Sequence, residues 1–165
     1  MRDALIESHI PALRRYAYAL CRSAQEADDL VQDCLLRALG SWHLRRPDGN
    51  LRAWLFAILH SGFISAKRQE GRRPRPNPAE ESPMEGGQEH AMFLEDVVNA
   101  MDALPDEHRA VLLLVGVEDL SYAEAARVLG VPVGTVMSRL SRGRERLRRA
   151  IEGDRPAAGS LRRVK

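Results

Sequence analysis

The chain is 165 residues long, 44% hydrophobic but only 5% aromatic, and 29% charged with a formal net charge of +2. That length holds one ordinary domain or two small ones, with a core of Leu, Val, Ile and Ala that suits helices. It excludes a disulfide scaffold, because Cys21 and Cys34 lack framework or metal spacing, and a membrane span, because the longest apolar run, residues 110–117, is far too short for a bilayer.

No sustained period-two alternation occurs, and Asp48-Gly49 sits between helical segments, so no strand is predicted. The N-terminus carries Asp3, Glu7 and His9 without an apolar run, unlike a signal peptide. The first helical stripe is Ile6, Ile10, Leu13, Ala17 and Leu20. Pro11 interrupts it. Either a short helix ends near His9, or the main helix begins there with Pro11 in its first turn. Ser23-Ala24-Gln25-Glu26 then reads as a capping box, followed by an inward stripe of Ala27, Leu30, Val31, Cys34, Leu35 and Ala38, with Gly40 as the stop. The two cysteines fall within these helical patterns as small buried apolar residues, and a reducing cytoplasm fits them. After the turn-rich loop at residues 45–50, Asn50 can cap a third helix that turns Leu51, Trp54, Leu55, Ile58 and Leu59 inward.

From Gln69 to about Gln88 the composition changes. Gly71, Pro74, Pro76, Pro78, Pro83, Gly86 and Gly87 break any helix, and few apolar residues remain to offset the entropy of ordering. Residues 69–91 are expected to be a flexible linker between two small helical domains, 1–68 and 92–153, with a basic tail at 154–165. In the second domain Leu94, Val97, Val98, Met101 and Leu104 form one stripe. Pro105 opens the next helix, with Val111, Leu112 and Val115, and residues 116–120 connect onward.

Ser121-Tyr122-Ala123-Glu124 is a second capping box. It starts a short helix with Ala125, Ala126 and Leu129 inward. Gly130 suits a left-handed turn, and Val131-Pro132-Val133-Gly134 leads into a helix running to about Ile151. This is the helix-turn-helix plan. Along the last helix Val136, Leu140, Gly143, Leu147 and Ile151 form a core stripe. Roughly opposite lie Ser138, Arg139, Ser141, Arg142, Arg146 and Arg149. From Ser121 onward there are eleven Lys or Arg against four Asp or Glu. Arginines at such spacing repel one another, and DNA phosphate supplies the counter-charge. The bland alternative is an idle basic surface. The capping box, turn glycine, core stripe and arginine face together favour DNA binding.

Three runs carry a resemblance to a known family. Leu104-Pro105-Asp106-Glu107-His108-Arg109, Leu120-Ser121-Tyr122-Ala123-Glu124-Ala125-Ala126, and the run from Gly130 to Leu140 resemble the C-terminal promoter-reading domain of extracytoplasmic-function (ECF) sigma factors. Independently, Asp28-Asp29-Leu30-Val31-Gln32-Asp33 resembles their polymerase-binding helix, and Asn50-Leu51-Arg52-Ala53-Trp54-Leu55 the start of their promoter-melting helix. The resemblance runs in order over nearly the whole chain. It implies an all-α protein that binds core RNA polymerase, promoter DNA and an anti-sigma factor, is not an enzyme and needs no cofactor.

By matching position it implies −35 contacts at Thr135, Met137, Ser138, Arg139, Ser141 and Arg142, to which the charge pattern adds Arg146. It implies −10 contacts at Arg45, Arg46, Arg52, His60, Ser61, Lys67 and Arg68, and polymerase contacts at Leu30, Gln32 and Asp33. Two positions depart from the family. Met137 stands where many relatives carry Lys or Arg, so readout there turns apolar, for example against a thymine methyl. Ser61 stands where many carry Asn. Trp54 and Phe56 are candidates for base stacking, with Trp54 read as core. The histidines, His9, His43, His60, His90 and His108, have no partner at ligand spacing, so no metal site is expected. Two other readings stay open. One is a stand-alone, dimeric helix-turn-helix regulator, although no dimerisation helix is evident. The other is an adaptor that binds only another regulator protein and no longer touches DNA.

Overall fold

The structure, a computed structural model, describes residues 1–71 and 96–154. Most of the expected linker, Leu94 and the tail from residue 155 lie outside the described residues. Every regular element among the described residues is a helix.

The N-terminal stripe resolves as two helices, α1 (Arg2–Glu7) and α2 (Ile10–Cys21), with Pro11 in the first turn of α2. There its missing N–H costs nothing. Arg22 takes the left-handed conformation (φ 60°) that ends α2, and Ser23 caps α3 (Ala24–Gly40) by accepting from the Glu26 amide at 3.4 Å. A 3-10 turn at Trp42–Leu44 follows. Asn50 Oδ1 then accepts from the Ala53 amide to start α4 (Leu51–Glu70).

Helix α3 packs on α2 and α4 around Leu13, Tyr16, Leu20, Cys34, Leu55, Phe56 and Leu59, all essentially inaccessible to water. Each such side chain contributes about 1.5–3 kcal/mol by burial. Tyr16 meets Phe56 edge-on at 5.3 Å, and its hydroxyl bonds His60 Nδ1 at 3.0 Å. Trp54 is half-buried against Trp42 in a T-shaped pair, in line with its reading as core. Phe56 is fully buried, which removes it as a stacking platform in this conformation.

The second domain begins with α5 (96–102) and α6 (Asp106–Leu112), which runs on into a π-helical turn at Leu113–Val117. Helices α7 (Tyr122–Leu129) and α8 (Val133–Asp154) complete it. Three details differ from the sequence reading. Val98 is exposed, and Ala100 is the buried residue of α5. Val128 rather than Leu129 is the fully buried residue near the end of α7. The supposed connection after Val115 begins as a helical turn. The junction of α5 and α6 rests on buried Arg109. Its guanidinium donates to the carbonyls of Met101 (3.0 Å), Asp102 (3.2 Å) and Leu104 (2.8 Å) and to Asp106 Oδ1 (3.0 Å). Carbonyls at and just past a helix end lack the partners that the helix interior supplies, and the guanidinium provides donors for them.

Candidate nucleic-acid interface

The capping box at the start of α7 is complete. Ser121 Oγ accepts from the Glu124 amide at 3.1 Å, and Glu124 Oε2 accepts from the Ser121 amide at 3.2 Å. Gly130 turns the chain at φ 65°, a left-handed conformation that suits glycine. Helix α8 then seats Val136 and Leu140 in the core. At Gly143 it lies so close to α6 that a Cβ would stand 3.2 Å from Leu112 and 3.4 Å from His108. Close seating of this face fixes which side of α8 meets solvent.

The outward side carries Met137, Ser138, Ser141, Arg142 and Arg146, with Thr135 half-buried at its first turn. Among the described residues, Arg142 and Arg146 have no acidic partner within ion-pair distance. By contrast, Glu145 holds Arg148 at 2.9 Å and Arg149 at 3.0 Å. Arg144, exposed and outside the predicted set, likewise has no acidic partner among the described residues, so the unneutralised charge lies at two of the predicted residues and at one beside them. Met137 is exposed and lines an open groove with Tyr122, Leu140 and Ser141. Arg139 departs from the expected pattern. Its side chain is only 23% exposed and lies 3.8 Å from Glu107.

In the first domain Arg46, Ser61, Lys67 and Arg68 are exposed. Arg45 stacks over the Trp42 ring at 4.5 Å, and Lys67 lies 5.6 Å from the Phe63 ring. Two predicted contacts are turned inward. Arg52 Nη2 donates to the Glu118 carboxylate and carbonyl, both at 2.8 Å. His60 is buried, so it is not open to a phosphate in this conformation. On α3, Asp29, Gln32, Asp33 and Leu36 share the solvent face, and Leu36 is 69% exposed. Leu30, a polymerase contact by resemblance but a member of the inward stripe by periodicity, is buried against Gly62 of α4 and belongs to the core. Its position falls on the stripe of Ala27, Val31 and Cys34 rather than the one facing water.

Sequence reasoning missed Tyr16, Arg15, Arg109 and Glu118. Tyr16 and Arg109 lie within helices, but their polar partners are distant in sequence or are carbonyls, which periodicity does not reveal. Glu118 follows an irregular turn and had no pattern to mark it.

Burial holds the His60 imidazole well below its ordinary value, at about 4, with the positive charge of Arg139 adding to the effect. The folded chain thus favours neutral His60, and the unfolded chain binds the extra proton first as pH falls. This contribution to stability is complete above about pH 6.5. It is lost toward pH 4 at no more than about 1.4 kcal/mol per pH unit. Thermal melts across that window should show a steeper loss for the wild type than for His60→Gln.

Among the described residues no cluster of His, Cys, Asp or Glu has the makings of a metal site, and no helix is long and apolar enough to cross a membrane. Comparison with known proteins gives a consistent assignment. Residues 6–60 match the family described as the sigma2 domain of PhyR, and residues 94–147 match sigma-70 region 4. The ECF RNA polymerase sigma factor EcfG of Rhodopseudomonas palustris is 39% identical, over 89% of this chain and 82% of that one. The sigma factor RpoE, solved in complex with the anti-sigma factor NepR from Bartonella quintana, superposes with a TM-score of 0.80 at 34% identity, covering 94% of this chain and all of that one. CnrH, solved in complex with the cytosolic domain of CnrY, superposes at 0.69 with 27% identity, covering 93% of this chain and 88% of that one. Two helical units in this order, the second ending in a helix-turn-helix with an exposed arginine face, and likeness over nearly the full chain place the protein in the ECF family of RNA polymerase sigma factors.

Proposed function

We propose that this sigma factor seats α3 on core RNA polymerase, reads the −35 element with α8 and holds the opened −10 strand along α4 and the loop before it. The observation that carries the reading is the pair Arg142 and Arg146, without an acidic partner among the described residues, on the free face of a helix whose other face is locked into the core. Thr135, Met137, Ser138, Ser141 and, once the domains separate, Arg139 complete that surface. Arg45, Arg46, Ser61, Lys67 and Arg68 supply the −10 side, joined by Arg52 and His60 in an opened form. The protein works in the cytoplasm as a polymerase subunit without catalysis of its own. The likeness to RpoE supports control by an anti-sigma factor of the NepR kind.

On α3 the polar contacts Gln32 and Asp33 are flanked by Leu36, with Leu39 also exposed. An apolar residue this exposed beside acidic groups suits a protein interface with an apolar centre and a polar rim. Leu36→Asp should weaken core polymerase binding by about tenfold or more, since a charge would be buried there without a partner. Its thermal stability should stay near wild type because the side chain is already in water. Fluorescence anisotropy with core polymerase checks this. Unchanged affinity would contradict the assignment of that face.

A further inference from the structure

The two domains pack along α4 and α7 with continuous apolar contact, and a set of polar contacts crosses the same boundary with one residue at its centre. The Glu118 side chain, 1% exposed, comes from the second domain just after the π-helical turn. Its carboxylate accepts from Arg15 Nε at 2.8 Å and Arg15 Nη2 at 2.9 Å on α2, and from Arg52 Nη2 at 2.8 Å on α4. Backbone bonds from the Glu118 amide to the Leu113 carbonyl (2.8 Å) and from the Leu120 amide to the Leu114 carbonyl (2.9 Å) hold the segment in place. Nearby, Asn50, the cap of α4, donates to Glu124 of the α7 capping box at 3.1 Å. Arg22 pairs with Asp102. The positive charge of Arg139 is felt at His60 across the same boundary.

Three residues assigned to promoter contact, Arg52, His60 and Arg139, are thus on the closed side of the interface. Arg52 has one planar fork, which serves either a carboxylate or a phosphate. Taking Glu118 out of water offsets much of its attraction to the two arginines. Closure is therefore favourable without being irreversible.

We propose that Glu118 is a latch that keeps the unbound chain closed, gripping Arg15 and Arg52 together. On the polymerase, promoter phosphate takes its place on Arg52. The second step rests on the function proposed above, while the latch does not. In the closed state the −10 and −35 surfaces cannot span a promoter. The free protein therefore restrains itself before any inhibitor acts.

The test uses the full chain with dyes at Gln25→Cys and Arg127→Cys, both exposed positions outside the contact surfaces, in a Cys21→Ser, Cys34→Ala background. Energy transfer in the free protein reports closure. Wild type should give high transfer. Glu118→Gln, nearly the same shape, and Arg15→Gln, on the first domain's surface, should each lower it. Both should tighten core polymerase binding by about tenfold, as removal of a tenfold closed-state bias requires. Arg15→Gln leaves the second domain untouched, so it decides the matter even where a Glu118 variant is poorly folded. Low transfer in the wild type, or transfer unaltered by both variants, would overturn the latch. Opening without tighter polymerase binding would overturn its inhibitory role. Opening in a chain that binds no polymerase in any form would count against the proposed function and leave the latch supported.

Discussion

Replacing Arg142 and Arg146 together with alanine should cut transcription from a −35-dependent promoter by about a hundredfold or more, since each arginine that meets the promoter is worth about 1–3 kcal/mol. Both side chains are exposed, and neither has an acidic partner among the described residues, so the fold does not depend on them. Core polymerase affinity and melting temperature should therefore stay at wild-type values. Replacing Arg148 and Arg149 is the matched control. Their charge is already met by Glu145, and the effect should be several-fold smaller. Salt titration of promoter binding adds a second reading. Each phosphate-binding arginine removed lowers the slope of log affinity against log salt by about 1. A double variant that keeps full −35-dependent transcription would remove α8 from promoter reading and revive the adaptor alternative.

The second large effect is on the first domain's core. Phe56→Ala should destabilise the protein by about 3–5 kcal/mol, the usual range for an aromatic removed from a tight core. Phe56 is fully buried, meets Tyr16 edge-on and has the Arg52 guanidinium over its ring at 5.3 Å. Its removal leaves a cavity and also slackens the position of Arg52. A unit of this size has a thin margin of stability, about 5–15 kcal/mol, so such a loss should leave the variant measurably less stable and with a lowered melting temperature. Denaturant unfolding measures the change directly. The two readings of Phe56 separate here. A base-stacking residue would lose promoter opening at undiminished stability, whereas a core residue loses both together.

Much of this was legible in the sequence because the signals are local. Ser121 and Glu124 sit three apart before an apolar run, and that spacing is itself the capping box. Gly130 marks the turn because few other residues accept its backbone angle. Val136, Leu140 and Gly143 repeat at helical spacing, so the free face of α8 follows by geometry. Where the sequence misled, the deciding partner was far away in the chain or the error was one step around a helix. Leu129 reads as inward, yet Val128, one step back along α7, is the residue that packs into the core. His60 reads as a phosphate contact because its partner, Tyr16, is distant in sequence. The closing of the domains over Arg52 depends on Glu118, a residue without any periodic neighbours. Non-local polar pairing of this kind leaves no pattern in a single sequence.

The most direct measurement is transcription in vitro with purified core polymerase, this chain alone and a promoter library, followed by mapping of RNA start sites. Discrete starts should appear only when the chain is added, downstream of paired elements at a fixed spacing, and should vanish with Arg142→Ala and Arg146→Ala combined. A well-folded chain, free of any inhibitor, that yields no new starts would contradict the reading at its root.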